Sequence, residues 1–163
     1  MKRTLARLTS FAIALLVLGS AGGAPALAED KTPPTYRCQG FDEPMHRDNI
    51  RISRGRVLPL RAKLALPDGT FGDASTLKNA PKISLKYAPE SGPEVDKSGG
   101  LEVRDYGKGN SFVFDQEAHW KFDLGTGNLP DDGRYKVSLI SGDESEYRVD
   151  PGCALVFLLG GGK

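Results

Sequence analysis

Two histidines, two cysteines, two methionines and one tryptophan are all that the chain carries of those residues in 163 positions. Their scarcity removes whole classes of chemistry. Cys38 and Cys153 form no C-x-x-C pair and have no histidine near them in sequence, which argues against zinc-ribbon and thioredoxin-like sites. No G-x-S-x-G segment is present, and no serine stands out as a nucleophile for His46 or His119 to activate. Gly107-Lys108-Gly109-Asn110 has two glycines but neither the length nor the following helix of a phosphate-binding loop, and reads as a hairpin turn. An excess of one charge is lacking too: 22 basic side chains face 21 acidic ones. No broad pull toward nucleic acid or anionic lipid is expected from such a balance.

The start of the chain has a different character. Lys2, Arg3 and Arg7 precede an apolar stretch from Phe11 to Leu18, and small residues then lead to Ala26-Leu27-Ala28. This is the layout of a cleavable secretory signal. The apolar stretch falls short of the about 20 residues that span a bilayer, and no cysteine follows it to take a lipid. Residues 1–28 are therefore expected to be a signal peptide, 29–35 a flexible leader containing Pro33-Pro34, 36–159 the folded domain, and 160–163 a flexible tail. The expected location is periplasmic or secreted, with no membrane insertion after cleavage. Loss of the three early cations leaves a slightly acidic chain of a length suited to one domain. In an exported chain an even cysteine count favours a disulfide, here Cys38–Cys153, which would tie the first strand to the last.

Between these ends the dominant period is two. Leu58, Leu60, Ala62, Leu64 and Leu66 alternate with Pro59, Arg61, Lys63 and Ala65; Ile83, Leu85 and Tyr87 alternate with Lys82, Ser84 and Lys86. Leu101–Val103, Trp120–Leu124, Arg134–Leu139 and Tyr147–Val149 continue the series, while Phe112–Phe114 is a short apolar run and Cys153–Leu159 a continuous one that reads as a last strand covered on both faces. Turn residues separate them, among them Pro67-Asp68-Gly69, Ser98-Gly99-Gly100 and Asp132-Gly133. The reading is all-β: one immunoglobulin-like sandwich of about eight antiparallel strands. Asp131-Asp132-Gly133-Arg134-Tyr135 favours the sandwich, because it resembles the tyrosine corner of such domains.

From Val57 to Leu64 the chain resembles the PxKF-type domains of secreted bacterial proteins. Pro59, Arg61, Leu64, Asp68 and Gly69 match their first strand and turn; Trp120, Phe122, Leu124, Gly133, Tyr135 and Val137 match later strands, with Gly142-Asp143 following. The likeness runs from about Ile50 to Phe157, and departs from the pattern where Arg61 replaces Lys and Ala62 replaces Phe. It implies an immunoglobulin-like, extracytoplasmic domain without catalytic residues.

Candidate sites are few. Arg47, Arg51, Arg54 and Arg56 form the one cationic cluster, interleaved with Ile50 and Ile52, and are the candidate partner-binding residues. If the isoleucines point inward, Arg51 lies on the outer face. Met45-His46 is an incomplete copper set. Asp131-Asp132 and Asp143-Glu144-Ser145-Glu146 do not follow an EF-hand loop and read as turns. His119 reads as an edge residue beside Trp120. No cofactor, metal or catalytic residue is expected. The expected function is a non-catalytic binding or structural module for a protein or glycan of the cell envelope, with no nucleic acid partner. The alternative is a periplasmic inhibitor or accessory protein of another exported enzyme, since Thr35-Tyr36-Arg37-Cys38-Gln39-Gly40 resembles the start of some bacterial lysozyme inhibitors.

Overall fold

The computed structural model of the chain describes residues 32–160. The expected signal peptide, the first residues of the leader and the last three of the tail lie outside them. Eleven strands form: β1 (Thr35–Tyr36), β2 (Ile50–Ser53), β3 (Val57–Ala62), β4 (Lys82–Ala88), β5 (Val95–Asp96), β6 (Glu102–Val103), β7 (Val113–Phe114), β8 (Trp120–Gly125), β9 (Gly133–Ile140), β10 (Arg148–Val149) and β11 (Ala154–Gly160). Among the described residues no helix is long and apolar enough to cross a membrane.

The strands make two main sheets. One has the order β2-β11-β9-β4-β5, antiparallel except where β2 runs parallel to β11. The other has the order β3-β8-β6, with β7 also on β8. A small parallel pair, β1-β10, stands apart. The central orders β4-β9-β11 and β3-β8-β6 are the C-F-G and B-E-D arrangements of an immunoglobulin sandwich. The corner before β9 carries the matching signature. Tyr135 is fully buried, and its hydroxyl donates to the Asp131 carbonyl at 2.8 Å. Antibody domains place a cysteine two residues after that tyrosine; this chain has the buried Val137 there.

The core follows from the period of two. Leu58, Leu60, Phe122 and Leu124 from one sheet face Leu85, Tyr135, Val137 and Phe157 from the other, all under 1 % exposed. Tyr135 stacks on Phe157 with centroids 5.4 Å apart, and Phe112 tilts against Phe122 at 5.3 Å. Trp120 is buried at the start of β8, where its indole N–H donates to the Gly72 carbonyl at 2.7 Å and pins the loop that follows β3.

Three differences from the sequence reading have physical causes. β5 carries no signal in the sequence, because two exposed residues show no period, and β1 and β2 are marked only by Cys38 and by Ile50 and Ile52. β3 stops at Ala62 instead of reaching Leu66; the chain bends, and Ala65 bridges to Arg37 and Phe71 instead. Tyr147 sits in a turn, not a strand. It is wholly buried because its hydroxyl accepts from the Gly142 N–H at 2.9 Å and donates to the Asn79 carbonyl at 2.8 Å.

Two ties close the end of the sandwich near β1. Cys38 and Cys153 are joined across 115 positions, just after β1 and just before β11. Nearby, the Glu146 carboxylate accepts the N–H groups of Lys78 and Asn79 and the Asn79 amide. A side chain on Gly142 would run into the carbonyl oxygens of Asn79 and Ala80, so this contact requires glycine. Asp73 caps its own turn by accepting from Ser75 and Thr76.

Removing the disulfide, by Cys38→Ser or Cys153→Ser, is expected to cost about 2–5 kcal/mol, since the link constrains a long loop in the unfolded chain. A thermal melt reads this as a drop of several degrees or more, and the denatured wild type should titrate no free thiol. Hydrogen bonds also hold several half-buried carboxyls below the usual range: Ser75 does so first for Asp73, down to about 2, Ser145 for Asp143 and Asn79 for Glu146. Because these pKa values fall on folding, their stabilisation is complete above the unfolded carboxyl range and is lost as pH drops through the folded values. Melting temperature should therefore hold steady above about pH 5 and fall from there toward about pH 2. A flat profile across that acid window would contradict the assignment.

Candidate partner-binding face

The two sheets differ in what covers their outer faces. On β8 the outward residues Lys121 and Asp123 are only 7 % and 6 % exposed. The Tyr106 ring lies 5.1 Å from the Lys121 ammonium, and the backbone of residues 104–106 hydrogen-bonds along the edge at Asp123. Burial, and then the charge of Asp105, pushes the Asp123 carboxyl up. Lys121 in turn ion-pairs with Asp115 and with Glu117 at 3.4 Å. On this sheet Lys121 is covered and compensated, although Arg61 lies directly opposite it on β3.

The five-stranded sheet is open on its outer side, and its register sets a pattern there. Lys86 on β4 lies directly opposite Lys136 on β9, and Ser84 lies opposite Ser138 one rung along the same face. Two ammonium groups and two hydroxyls thus occupy four neighbouring corners. Arg134 extends the face along β9, and Arg51 stands opposite Leu158 at its far edge. Lys86, Lys136, Arg134 and Arg51 are all exposed. Lys86 has Glu94 at 3.4 Å. Lys136, Arg134, Arg148 and Arg51 have no ion-pair partner among the described residues. Nearby carboxylates also hold backbone groups: Asp48 accepts the Val156 N–H, Asp150 that of Gly152, and Asp96 that of Ser98 while lying directly opposite Lys86 on β5. A trough of about 340 Å³ crosses this face, floored by Ser84, Lys86, Lys136 and Ser138 and walled by Arg148 and the 140–151 segment.

The arginine cluster read from the sequence does not stay together. Ile50 and Ile52 pack against the core, and Arg51 projects onto the open face as expected. Arg54 turns away to Asp132 at 2.6 Å. Arg47 donates to the His46 ring at 2.9 Å in the preceding loop, and Arg56 is exposed in the turn before β3. The other members of the face, Lys86, Lys136 and Arg148, were overlooked. They lie far apart in the chain, and only strand register makes them neighbours.

Other chemistry is placed as follows. Met45 is in the core while His46 is exposed. His119 is half-buried, in keeping with a partly exposed position just before β8. Its Nε2 lies 3.1 Å from Asp42 and its Nδ1 3.8 Å from Asp115. The described contacts bring it no serine. Asp115, Glu117 and His119 carry ligand-type atoms within 4.8 Å of one another. However, Lys121 pairs with both carboxylates, and Asp115 also accepts the N–H groups of Glu117 and His119, so the chain compensates this group itself. A second groove, of about 390 Å³, lies beside Phe71, which is 54 % exposed, and is bordered by Arg37, Asp42, Lys63, Leu66 and Pro67.

No protein-family model matches the chain, and no curated protein matches it. Among solved structures it is similar to the Lin-41 filamin domain, at 12 % identity over 69 % of this chain and 84 % of that one, with a TM-score of 0.37. It is also similar to titin domain M7, at 9 % identity over 80 % of this chain and 96 % of that one, TM-score 0.35. The twitchin kinase region of C. elegans aligns at 10 % identity and TM-score 0.28, covering 80 % of this chain and 15 % of that one. At these scores the immunoglobulin-like assignment rests on strand order and the tyrosine corner. The PxKF-type likeness stands here only as far as that fold.

Like charges directly opposite on a sheet destabilise it. Lys136→Glu should therefore raise the melting temperature at low salt, by an amount equivalent to about 0.2–1 kcal/mol, with the gain shrinking as salt screens it. A lower melting temperature at every salt concentration would show that Lys136 is stabilising where it stands.

Proposed function

We propose that the protein is an exported, non-catalytic binding module whose open sheet face docks an anionic partner of the cell envelope. The observation that carries this reading is the Lys86–Lys136 pair: two like charges set opposite each other, at a cost to the fold, on the one sheet whose outer face is left uncovered. A disulfide-tied domain suits a periplasmic or secreted location, and kinship with PxKF-type modules is part of the same reading. The arginines Arg47, Arg51, Arg54 and Arg56 contribute through Arg51.

A second reading has its own support. Phe71 protrudes beside a groove that also holds Arg37 and Lys63, and an exposed aromatic next to cations is the makeup of a contact hot spot. That surface suits an inhibitor or accessory role toward another exported protein.

Affinity capture from an envelope extract separates the two. On the first reading the immobilised disulfide-bonded protein retains an envelope component at low salt, releases it at moderate salt, and fails to retain it as Lys136→Glu, while Phe71→Ala behaves as wild type. Retention that survives Lys136→Glu and salt but is lost in Phe71→Ala would replace the first reading with the second.

A further inference from the structure

The open face carries more information than its charge, and the following rests on the binding-module reading. We propose that its occupant is an acidic polysaccharide, held by its carboxylates and hydroxyls in the trough over β4 and β9. Three properties of the trough select this chemistry. The first is the alternation of donor types. The Lys86–Lys136 rung supplies two ammonium groups, and the adjacent Ser84–Ser138 rung supplies two hydroxyls. Facing serines on neighbouring strands commonly bond each other. Here neither hydroxyl has a partner among the described residues, and both serines are half-buried at the trough floor. An anionic sugar presents carboxylate and hydroxyl side by side, and so matches both rungs at once.

The second property is the wall. Ile140, at 42 % exposed, and the neighbouring Val149 and Pro151 form an apolar strip along the same trough. Such a strip can cover the C–H face of a sugar ring while the charged rung holds its acid group. Arg148 lies at the same end as a further cation, and Glu144 is the one carboxylate in the lining. The third is the backbone. β4, β9 and β11 are interior strands with their N–H and C=O groups paired on both sides. The face therefore offers side chains alone. An extended peptide that reads a sheet through its backbone needs an edge, and finds none at this position.

The test is a binding titration of the disulfide-bonded protein with sodium polygalacturonate, alongside neutral dextran, polyphosphate and poly-L-glutamate. The expected result is binding to polygalacturonate that weakens with salt, little binding to dextran, and clearly weaker binding to the two polyanions without sugar hydroxyls. Ser138→Ala should weaken polygalacturonate binding by about fivefold, the scale of one lost neutral hydrogen bond, and Lys136→Ala by about tenfold or more, the scale of one lost to a charged partner. Lys108→Ala, at an exposed turn away from the trough, should leave it unchanged. Equal affinity for poly-L-glutamate or polyphosphate, or a Lys136→Ala loss with no Ser138→Ala loss, overturns the polysaccharide assignment and leaves an anionic partner of another kind. Absence of binding to all four polymers also overturns it. The broader reading is then judged by envelope capture with Lys136→Glu, which uses no defined polymer.

Discussion

Everything in this fold depends on the packing of two inner sheet faces against each other. Burial of Tyr135, Val137 and Leu139 on β9 fixes which residues of that strand can face out, because side chains alternate along a strand. Arg134, Lys136, Ser138 and Ile140 follow as a necessity, and a slip of one residue would drive charge into the core. The same holds for β4, where burying Ile83 and Leu85 sends Ser84 and Lys86 outward. The pattern of the open face is thus the complement of the core. What the core does not dictate is the choice of lysine at both ends of one rung. Packing would be served as well by any polar pair, and repulsion makes this pair one of the poorer choices.

The remainder of the structure gives that face a fixed frame. The disulfide ties Cys38 to the entrance of β11, and β10 is held between β1 and the 150–153 turn. Glu146 and Tyr147 clamp the loop after β9 onto residues 78–80 just before β4. The wall of the trough and its floor are therefore joined by hydrogen bonds that do not involve the floor's own side chains. The other sheet has the opposite arrangement. Lys121 on its outward side is covered by Tyr106 and neutralised by Asp115, while Arg61, opposite it on β3, is half-buried without an ion pair among the described residues. The domain thus has one covered face and one open face.

Much of this could be read from residue order. The alternation in β4, β8 and β9, the Asp131–Tyr135 corner and the single available cysteine pairing are local or forced, and the structure bears them out, whereas β11, a continuous apolar run in sequence, buries only alternate residues fully. The candidate face was much less legible. Lys86 and Lys136 lie fifty positions apart, and each taken alone is an ordinary outward lysine. Their opposition exists only once the register of β4 on β9 is known. The arginines of 47–56 are adjacent in sequence, and the fold gives them different neighbours: Arg51 lies on the open face and Arg54 pairs with Asp132. The burial of Lys121 and Asp123 was equally out of reach, since it depends on a distant segment, 104–117, folding over them. Glu146 looked like part of a solvated acidic turn, and its role as a clamp appears only with residues 78–79 beside it.

The claim at the centre of this account is that partners meet the protein on the outer face of the five-stranded sheet. Lysine footprinting tests it most directly: brief acetylation of the protein with and without an envelope extract, followed by mass spectrometry of each modified lysine. The account predicts that Lys86 and Lys136 lose reactivity in the presence of the extract while Lys63 and Lys108 keep theirs. Protection of Lys63, beside Phe71, with Lys86 and Lys136 fully reactive would contradict it and move the contact to the Phe71 groove.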